Sequence, residues 1–129
     1  MRVDLRVEEW KVLLTHRRAG EYDFCRHGWV GDYADPMTFL ELFISGSGLN
    51  DAKWSNAEYD KLIIAARNEA DPVRRMELLH RAEKLLMDEM PIAPLFFYRI
   101  LYLEKPYVSG FVRTALGYTY FDRVRIDRR

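Results

Sequence analysis

The segment Gly28-Trp29-Val30-Gly31-Asp32-Tyr33-Ala34-Asp35-Pro36 joins an aromatic stretch to the start of a helix. Asp35 followed by Pro36 is typical of a helix N-cap with proline at the first helical position. This cap accounts for Asp35 and leaves Asp32 unexplained. Because Asp32 lies between Trp29 and Tyr33, on a turn that partly excludes water, its carboxylate is expected to bind a cationic partner. We therefore predict a ligand site at this turn.

The residues before the turn predict a parallel pair of strands. Residues 3–7 alternate apolar and charged side chains, which is typical of a strand, and residues 22–29 predict a second one. Between them, apolar residues at helical spacing predict a helix that ends at Gly20. A strand-helix-strand order favours a right-handed crossover, which would place Asp32 just beyond the carboxyl end of a strand. Ligands of open α/β sheets bind at such positions.

Two capped helices are predicted next. A capping box at residues 55–58 begins the first, and Asp71-Pro72 begins the second, which Pro91 ends. The apolar face of the first helix is Tyr59, Leu62, Ile63 and Ala66, and that of the second is Leu78, Leu79, Ala82, Leu85, Leu86 and Met90. We expect an antiparallel pair. The apolar run 92–103 then predicts one or two strands, and residues 108–112 and 118–126 predict shorter ones.

Composition limits the class of protein. With 129 residues, of which 49% are hydrophobic, the chain is long enough for one core and one compact domain. Twenty basic and twenty acidic residues give no net charge, so nothing favours binding to nucleic acid or to an anionic membrane. The arginines near the C-terminus are interrupted by Asp122 and Asp127, which indicates a solvated mixed edge: Arg123, Arg125, Arg128 and Arg129. The single Cys25 permits no internal disulfide.

Seven short motifs occur in an order that characterises a known family. They are the turn 28–36, Phe39-Leu40, the loop 46–50, Asn56 with Tyr59-Asp60, Ala82-Glu83, residues 91–95 and residues 105–110. In this order they resemble the C-terminal part of the peptide-binding proteins of ABC transporters. This extracytoplasmic solute-binding family includes oligopeptide, dipeptide and nickel receptors. Each motif is weak alone, but the ordered set covers nearly the whole chain.

The resemblance implies a fold and a location. It implies an α/β chain that forms part of one lobe of a type II periplasmic-binding-protein fold, with a mixed sheet and flanking helices. Residues 1–129 would be a single domain, comprising much of the second lobe and the C-terminal return strands. A first lobe and a signal peptide would lie upstream of Met1, since residues 1–4 lack the apolar core of a signal peptide. The intact protein would work outside the cytoplasm with an ABC permease.

The resemblance also implies roles for individual residues. Asp32 matches the aspartate that holds the α-ammonium of the bound peptide; the alternative is a turn aspartate that bonds nearby backbone amides. Trp29 and Val30 match residues that line the ligand groove, Val30 through its backbone, with Tyr33 beside them. A tryptophan here serves equally well as an anchor in the core.

Two further residues have weaker matches. Arg26 matches a position where a basic residue meets the carboxylate end of short peptides in some members, although a surface arginine explains it as well. Asn50 lies on a loop that faces the same cleft in the family, and loop asparagines are also common turn formers.

Catalysis and metal binding are less well supported. Asp23, Cys25 and His27 would share one face of a strand, and a Cys-His couple is a conceivable nucleophile. No oxyanion donors or orienting group accompany them, so we expect no enzyme. The three histidines lack metal-ligand spacing, and residues 46–48 lack the lysine of a phosphate loop. We expect no cofactor, and Asp32 favours an amine-bearing solute over a metal.

Two functions follow from these features. The first is peptide binding for an ABC importer, with weak affinity in the isolated chain because only one wall of the cleft is present. The alternative is a non-binding, truncated chain that self-associates through surfaces that would meet the missing lobe. Exposure of Phe96, Phe97, Tyr98 and Tyr102 would support that alternative, because large apolar patches mark interfaces.

Overall fold

The computed structural model describes residues 2–127. These residues form α1 (Trp10–Ala19), α2 (Met37–Leu40), a 3-10 turn (Glu41–Phe43), α3 (Ala57–Asn68), α4 (Pro72–Glu89), β1 (Val108–Ser109), β2 (Val112–Arg113), β3 (Thr119–Tyr120) and β4 (Arg125–Ile126). Two small antiparallel sheets form, one from β1 and β4 and the other from β2 and β3. Helices therefore provide most of the regular secondary structure of the described residues. Arg128 and Arg129, which belong to the predicted C-terminal edge, lie outside the described residues.

The hydrophobic core lies between α3 and α4, with α2 packed against them. The residues that α3 buries are the four predicted from its periodicity: Tyr59, Leu62, Ile63 and Ala66. Helix α4 buries Leu79, Ala82 and Leu86, with Leu78 and Leu85 partly buried beside them. Met90 was expected on this face but is 58% exposed, because it adopts the left-handed conformation that ends the helix.

The caps of the two helices explain where they begin. Asp71 caps α4 as predicted, accepting the Arg74 amide at 2.8 Å. The predicted capping box is wrong by one residue, because Asn56 caps α3 and accepts two amides at 2.9 and 3.0 Å. Ser55 instead donates its hydroxyl to Ser45 at 2.9 Å. The Asn56 side chain also donates to Glu89 at the end of α4, which confirms that the two helices are antiparallel.

Helix α1 is also confirmed. It ends at Gly20, whose φ of 77° is the left-handed conformation that glycine adopts readily. The Gly20 amide donates to the Arg17 carbonyl at 3.1 Å, which closes the last turn. No residue of α1 is fully buried. The helix is therefore correctly placed by its cap, although the described chain covers little of its apolar face.

The predicted mixed sheet does not form within the described residues, where the strands make only two small antiparallel sheets. Neither residues 3–7 nor residues 22–29 form a strand, so the expected parallel pair with its crossover is not present between residues 2 and 127. Residues 92–103 likewise form no strand. A strand requires a hydrogen-bonded neighbour, whereas periodicity reports only which side chains are apolar. Val3, Leu5 and Val7 are accordingly 68, 84 and 90% exposed.

The C-terminal region contains the strands, and they are short. Parts of the predicted segments 108–112 and 118–126 pair, with Val108 opposite Ile126 in one sheet. Gly110 lies where this chain segment meets residue 123, with φ of 86°. A Cβ atom at Gly110 would lie 2.1 Å from the Arg123 carbonyl oxygen, so only glycine fits there.

Candidate ligand site at the Asp32 turn

The backbone of the predicted site is fixed against α2. The Asp32 amide donates to the hydroxyl of Thr38 at 3.0 Å, and Thr38 is buried. A Cβ atom at Gly31 would lie 3.1 Å from the Thr38 methyl group and 3.2 Å from the Phe39 ring. Glycine at position 31 therefore allows the turn to approach the helix closely.

Asp35 holds the other end of the turn. Its Oδ1 atom accepts the Met37 amide at 2.8 Å, which is the predicted capping bond, although α2 begins at Met37 rather than Pro36. Both of its oxygens also accept from the guanidinium of Arg75, at 2.8 and 2.9 Å. The hydrogen bonds from Arg75 lower the pKa of Asp35 below its ordinary value, outweighing the effect of burial.

Tyr33 is tied to α3 through a shared carboxylate. Its hydroxyl donates to Glu41 at 2.6 Å, and Arg67 donates to the other oxygen of Glu41 at 2.9 Å. Burial and this hydrogen bond raise the pKa of Tyr33 to about 12. The bond from Tyr33, followed by that from Arg67, lowers the pKa of Glu41. The Tyr33 hydroxyl is thus engaged within the protein.

The Asp32 carboxylate differs from both of its acidic neighbours. Its side chain is exposed, and within residues 2–127 it has neither an ion-pair partner nor a side-chain hydrogen bond. It lines an open cavity of about 230 Å³. The cavity is also lined by Trp29, Thr38, Glu41, Leu42, Ile44, Ser47, Leu49 and Arg67. Arg67 at this cavity is paired with Glu41, so Asp32 is the acidic group of the cavity that has no cation partner among residues 2–127.

The other residues that were predicted to contact the peptide lie in different environments. Trp29 is half-buried, and its Nε1 atom is buried without a hydrogen-bond partner in the described chain. Val30 is 63% exposed. Arg26 is exposed and forms no ion pair with residues 2–127. The structure thus brings Trp29 and Asp32 together in one cavity, whereas Val30 and Arg26 are not among the residues that line it.

Asn50 has a structural role in its loop. It is 3% exposed, and its side-chain nitrogen donates to the carbonyls of Phe43, Ile44 and Trp54 at 3.3, 3.3 and 2.8 Å. Its Oδ1 atom is buried without a partner in the described chain. The residue therefore fixes the loop that leads from the 3-10 turn to α3.

Sequence reasoning did not identify three residues that shape this site, namely Glu41, Arg67 and Arg75. Arg67 is 26 positions from Glu41, and Arg75 is 40 positions from Asp35. An ion pair between such distant positions leaves no local pattern in the sequence. Their location could be found only from the packing of α3 and α4 on the turn.

The segment 22–29 is attached to the same loop by a polar cluster around Asp51. The Asp51 carboxylate lies 2.7 Å from Arg17 Nε and 3.8 Å from His27 Nε2. The backbone carbonyl of Asp51 accepts a hydrogen bond from the Tyr22 hydroxyl at 2.7 Å. Burial and the nearby Arg17 lower the pKa of His27. In the described part of the chain, no three histidine, cysteine or acidic side chains group as metal ligands. None of its helices combines the length and apolarity needed to cross a membrane.

Comparisons with known proteins agree on one class. No protein-family model matches the chain. The dipeptide-binding protein DppE of Bacillus subtilis is 44% identical over 110 residues, which is 85% of this chain and 20% of that protein. The periplasmic murein peptide-binding protein MppA of Escherichia coli is 38% identical over 109 residues, which is 84% of this chain and 20% of that protein.

Solved structures extend the match to the fold. The structure of the E. coli murein tripeptide-binding protein MppA superposes with a TM-score of 0.86 at 33% identity, over 99% of this chain and 25% of its own. Haemophilus influenzae OppA in complex with RPPGFSPFR gives a TM-score of 0.82 at 36% identity, over 95% of this chain and 24% of its own. All of these relatives are described as binding proteins, none as an enzyme. By sequence and by fold, the chain matches a segment of the oligopeptide- and dipeptide-binding proteins of ABC transporters and spans about a fifth to a quarter of their length.

Proposed function

We propose that the chain supplies one wall of the peptide-binding site of an ABC importer's solute-binding protein, with Asp32 holding the peptide's α-ammonium group. One observation carries the proposal. Asp35 and Glu41 are paired with Arg75 and Arg67, whereas Asp32, which lines the same cavity as Glu41 and Arg67, forms no ion pair with residues 2–127. A ligand cation would complete this arrangement.

An ammonium group suits the site chemically. It offers three hydrogen-bond donors and a full positive charge to the Asp32 carboxylate. Where an opposing wall closes the cleft and desolvates the contact, removal of one partner would cost about 2–5 kcal/mol. Because the contact involves only the peptide's terminus, it would fix where the peptide begins while remaining indifferent to its side chains.

Other predicted residues would contact the remainder of the peptide. Trp29 lines the cavity beside Asp32, and the Val30 backbone would bond an extended peptide much as an added strand does. Arg26 is exposed and would meet the carboxylate of a short peptide. Asn50 would act by holding the adjacent loop. The names of MppA and of H. influenzae OppA as periplasmic proteins support a site of action outside the cytoplasm, next to the permease.

The test compares two aspartates of the same chain. Asp32→Asn removes the proposed anchor, and Asp23→Asn removes an exposed carboxylate outside the cavity. Trialanine is titrated to millimolar concentration while backbone amide resonances around residue 32 are followed by NMR. We expect saturable shifts in the wild type and in Asp23→Asn, and their loss in Asp32→Asn. Equal shifts in the two variants, or none in the wild type, would contradict the proposal.

One observation favours a second candidate function, self-association. The segment 95–103 forms no helix and pairs with no strand within the described chain, and its odd-numbered apolar residues are almost fully exposed. They are Leu95 at 83%, Phe97 at 98%, Leu101 at 90% and Leu103 at 104%. An apolar, unpaired segment of this kind is a template for pairing with another chain.

Sedimentation velocity over a range of concentrations tests this candidate. We expect a concentration-dependent increase in mass that Phe97→Ser with Leu101→Ser abolishes. Val73→Ser, at a 66% exposed site on α4, is the matched control and should leave association unchanged. A monomer at every concentration would exclude self-association.

A further inference from the structure

We propose that Arg75 is a positioning residue for the Asp32 subsite: from α4 it holds the turn that carries Asp32 in place. The inference rests on the proposed function, since it gives Asp32 the role of anchor. Arg75 lies 40 positions from Asp35 and is not among the residues that line the cavity. Its effect on a ligand would therefore be indirect.

Arg75 and Asp35 form a two-point ion pair, which we call the clamp. Two guanidinium nitrogens meet two carboxylate oxygens at 2.8 and 2.9 Å, so the pair fixes orientation as well as distance. Their side chains are only 26% and 29% exposed, so solvent screens the pair less than an ordinary surface ion pair. A lysine at position 75 would keep the charge but lose the planar two-point contact.

Asp35 transmits this restraint to the turn. Its amide donates to the Tyr33 carbonyl at 3.0 Å, and its Oδ1 atom accepts the Met37 amide. The Asp32 amide in turn donates to Thr38, one residue further into α2. A movement of Asp35 relative to α4 would therefore shift both the turn and the helix start that hold the Asp32 backbone.

A second set of hydrogen bonds connects the same turn to α3. Arg67 binds Glu41, which accepts the Tyr33 hydroxyl. The turn is thus held from both helices of the core through Tyr33 and Asp35, on either side of Ala34. Of the acidic groups Asp32, Asp35 and Glu41, only Asp32 has no cation partner among residues 2–127. This separation of roles is what a preorganised binding carboxylate requires.

The first experiment measures the turn itself, without a ligand. Amide hydrogen exchange is compared in Arg75→Lys and in Arg74→Lys, which alters an exposed arginine on the same helix that forms no ion pair with residues 2–127. We expect Arg75→Lys to accelerate exchange at Asp32, Asp35 and Met37 about tenfold, the loss of one charge-assisted contact. Exchange of the α3 core amides should not change.

Two results would overturn the clamp. One is exchange at the turn in Arg75→Lys that matches Arg74→Lys. The other is equal acceleration throughout α3 and α4, which would mean that Arg75 supports the whole core rather than the turn. Asp35→Asn keeps an oxygen for the Met37 amide but loses the charge. If the clamp operates, Asp35→Asn combined with Arg75→Lys should accelerate exchange no more than the larger single effect.

The second experiment measures the consequence for binding. We expect the affinity for trialanine to fall about tenfold in Arg75→Lys relative to Arg74→Lys, since a displaced anchor loses part of its contact. Unchanged affinity in Arg75→Lys would overturn the positioning role. If the wild type fails to bind trialanine, the proposed function fails, while the exchange experiment still decides whether Arg75 holds the turn.

Discussion

The region of α2 to α4, residues 37–89, differs from the C-terminal region, residues 91–127, in whether its apolar side chains are buried within the chain. Every fully buried residue of the described chain lies between Met37 and Leu86, whereas the segment 95–103 leaves its apolar side chains exposed. A helix satisfies its backbone hydrogen bonds within itself, but a strand depends on a neighbour. Residues 37–86 thus form a buried core among themselves, whereas the apolar segment 95–103 is left exposed.

The candidate site is held in place by contacts with α2, α3 and α4. The Asp32 turn is fixed by Thr38 in α2, by Arg67 through Glu41, and by Arg75 in α4. None of these contacts involves residues after position 90. We therefore expect the shape of the turn to be independent of the C-terminal segment, even though a complete peptide cleft requires an opposing wall.

The largest effect should come from the core. Ile63→Ala removes a side chain that is 0% exposed and should lower the free energy of unfolding by about 2–5 kcal/mol, through lost burial and the cavity left behind. Ile64→Ala, at the next position and 53% exposed, is the control and should cost much less. Urea denaturation followed by helical circular dichroism gives both values. Similar losses at the two positions would show that the region has no specific core.

A smaller and more local effect should follow from Gly110→Ala. The added Cβ would collide with the Arg123 carbonyl, and the left-handed backbone adds about 1–2 kcal/mol of strain. We expect the contact between Val108 and Ile126 to disappear from NMR spectra while the helical signal persists. Gly48→Ala, where a Cβ meets nothing within 4 Å, is the control. Loss of helical signal in Gly110→Ala would contradict the independence of the two regions.

The smallest effect concerns pH. The pKa of Asp35 is lowered in the folded chain, chiefly by Arg75, so the stabilising contribution is present above the ordinary value of 3.8 and is lost as pH falls through the folded value. Asp35→Asn should therefore cost about 1 kcal/mol near neutral pH and progressively less below that ordinary value. Urea midpoints measured from pH 7 to pH 2 test this, with Asp23→Asn as control. A cost that grows in acid would refute the assigned direction.

The accuracy of the sequence-based predictions follows the same division. Capping aspartates and apolar periodicity located α1, α3 and α4, because these signals act within a few residues of one another. The strands at residues 3–7, 22–29 and 92–103 were wrong for the described chain, because pairing depends on partners that periodicity cannot identify. At the site, Trp29 and Asp32, which the sequence predicts together, line one cavity. Arg75, which restrains the turn, could not be identified before the packing of the helices was known.

The central claim is that Asp32 binds the amine of a peptide, and calorimetric titration of this chain with trialanine and with N-acetyl-trialanine tests it most directly. The two ligands differ in the terminal charge that the Asp32 carboxylate would recognise. We predict binding of the free-amine peptide and none of the acetylated one. Equal binding of both ligands, or binding of neither by a chain that melts cooperatively, would contradict the claim.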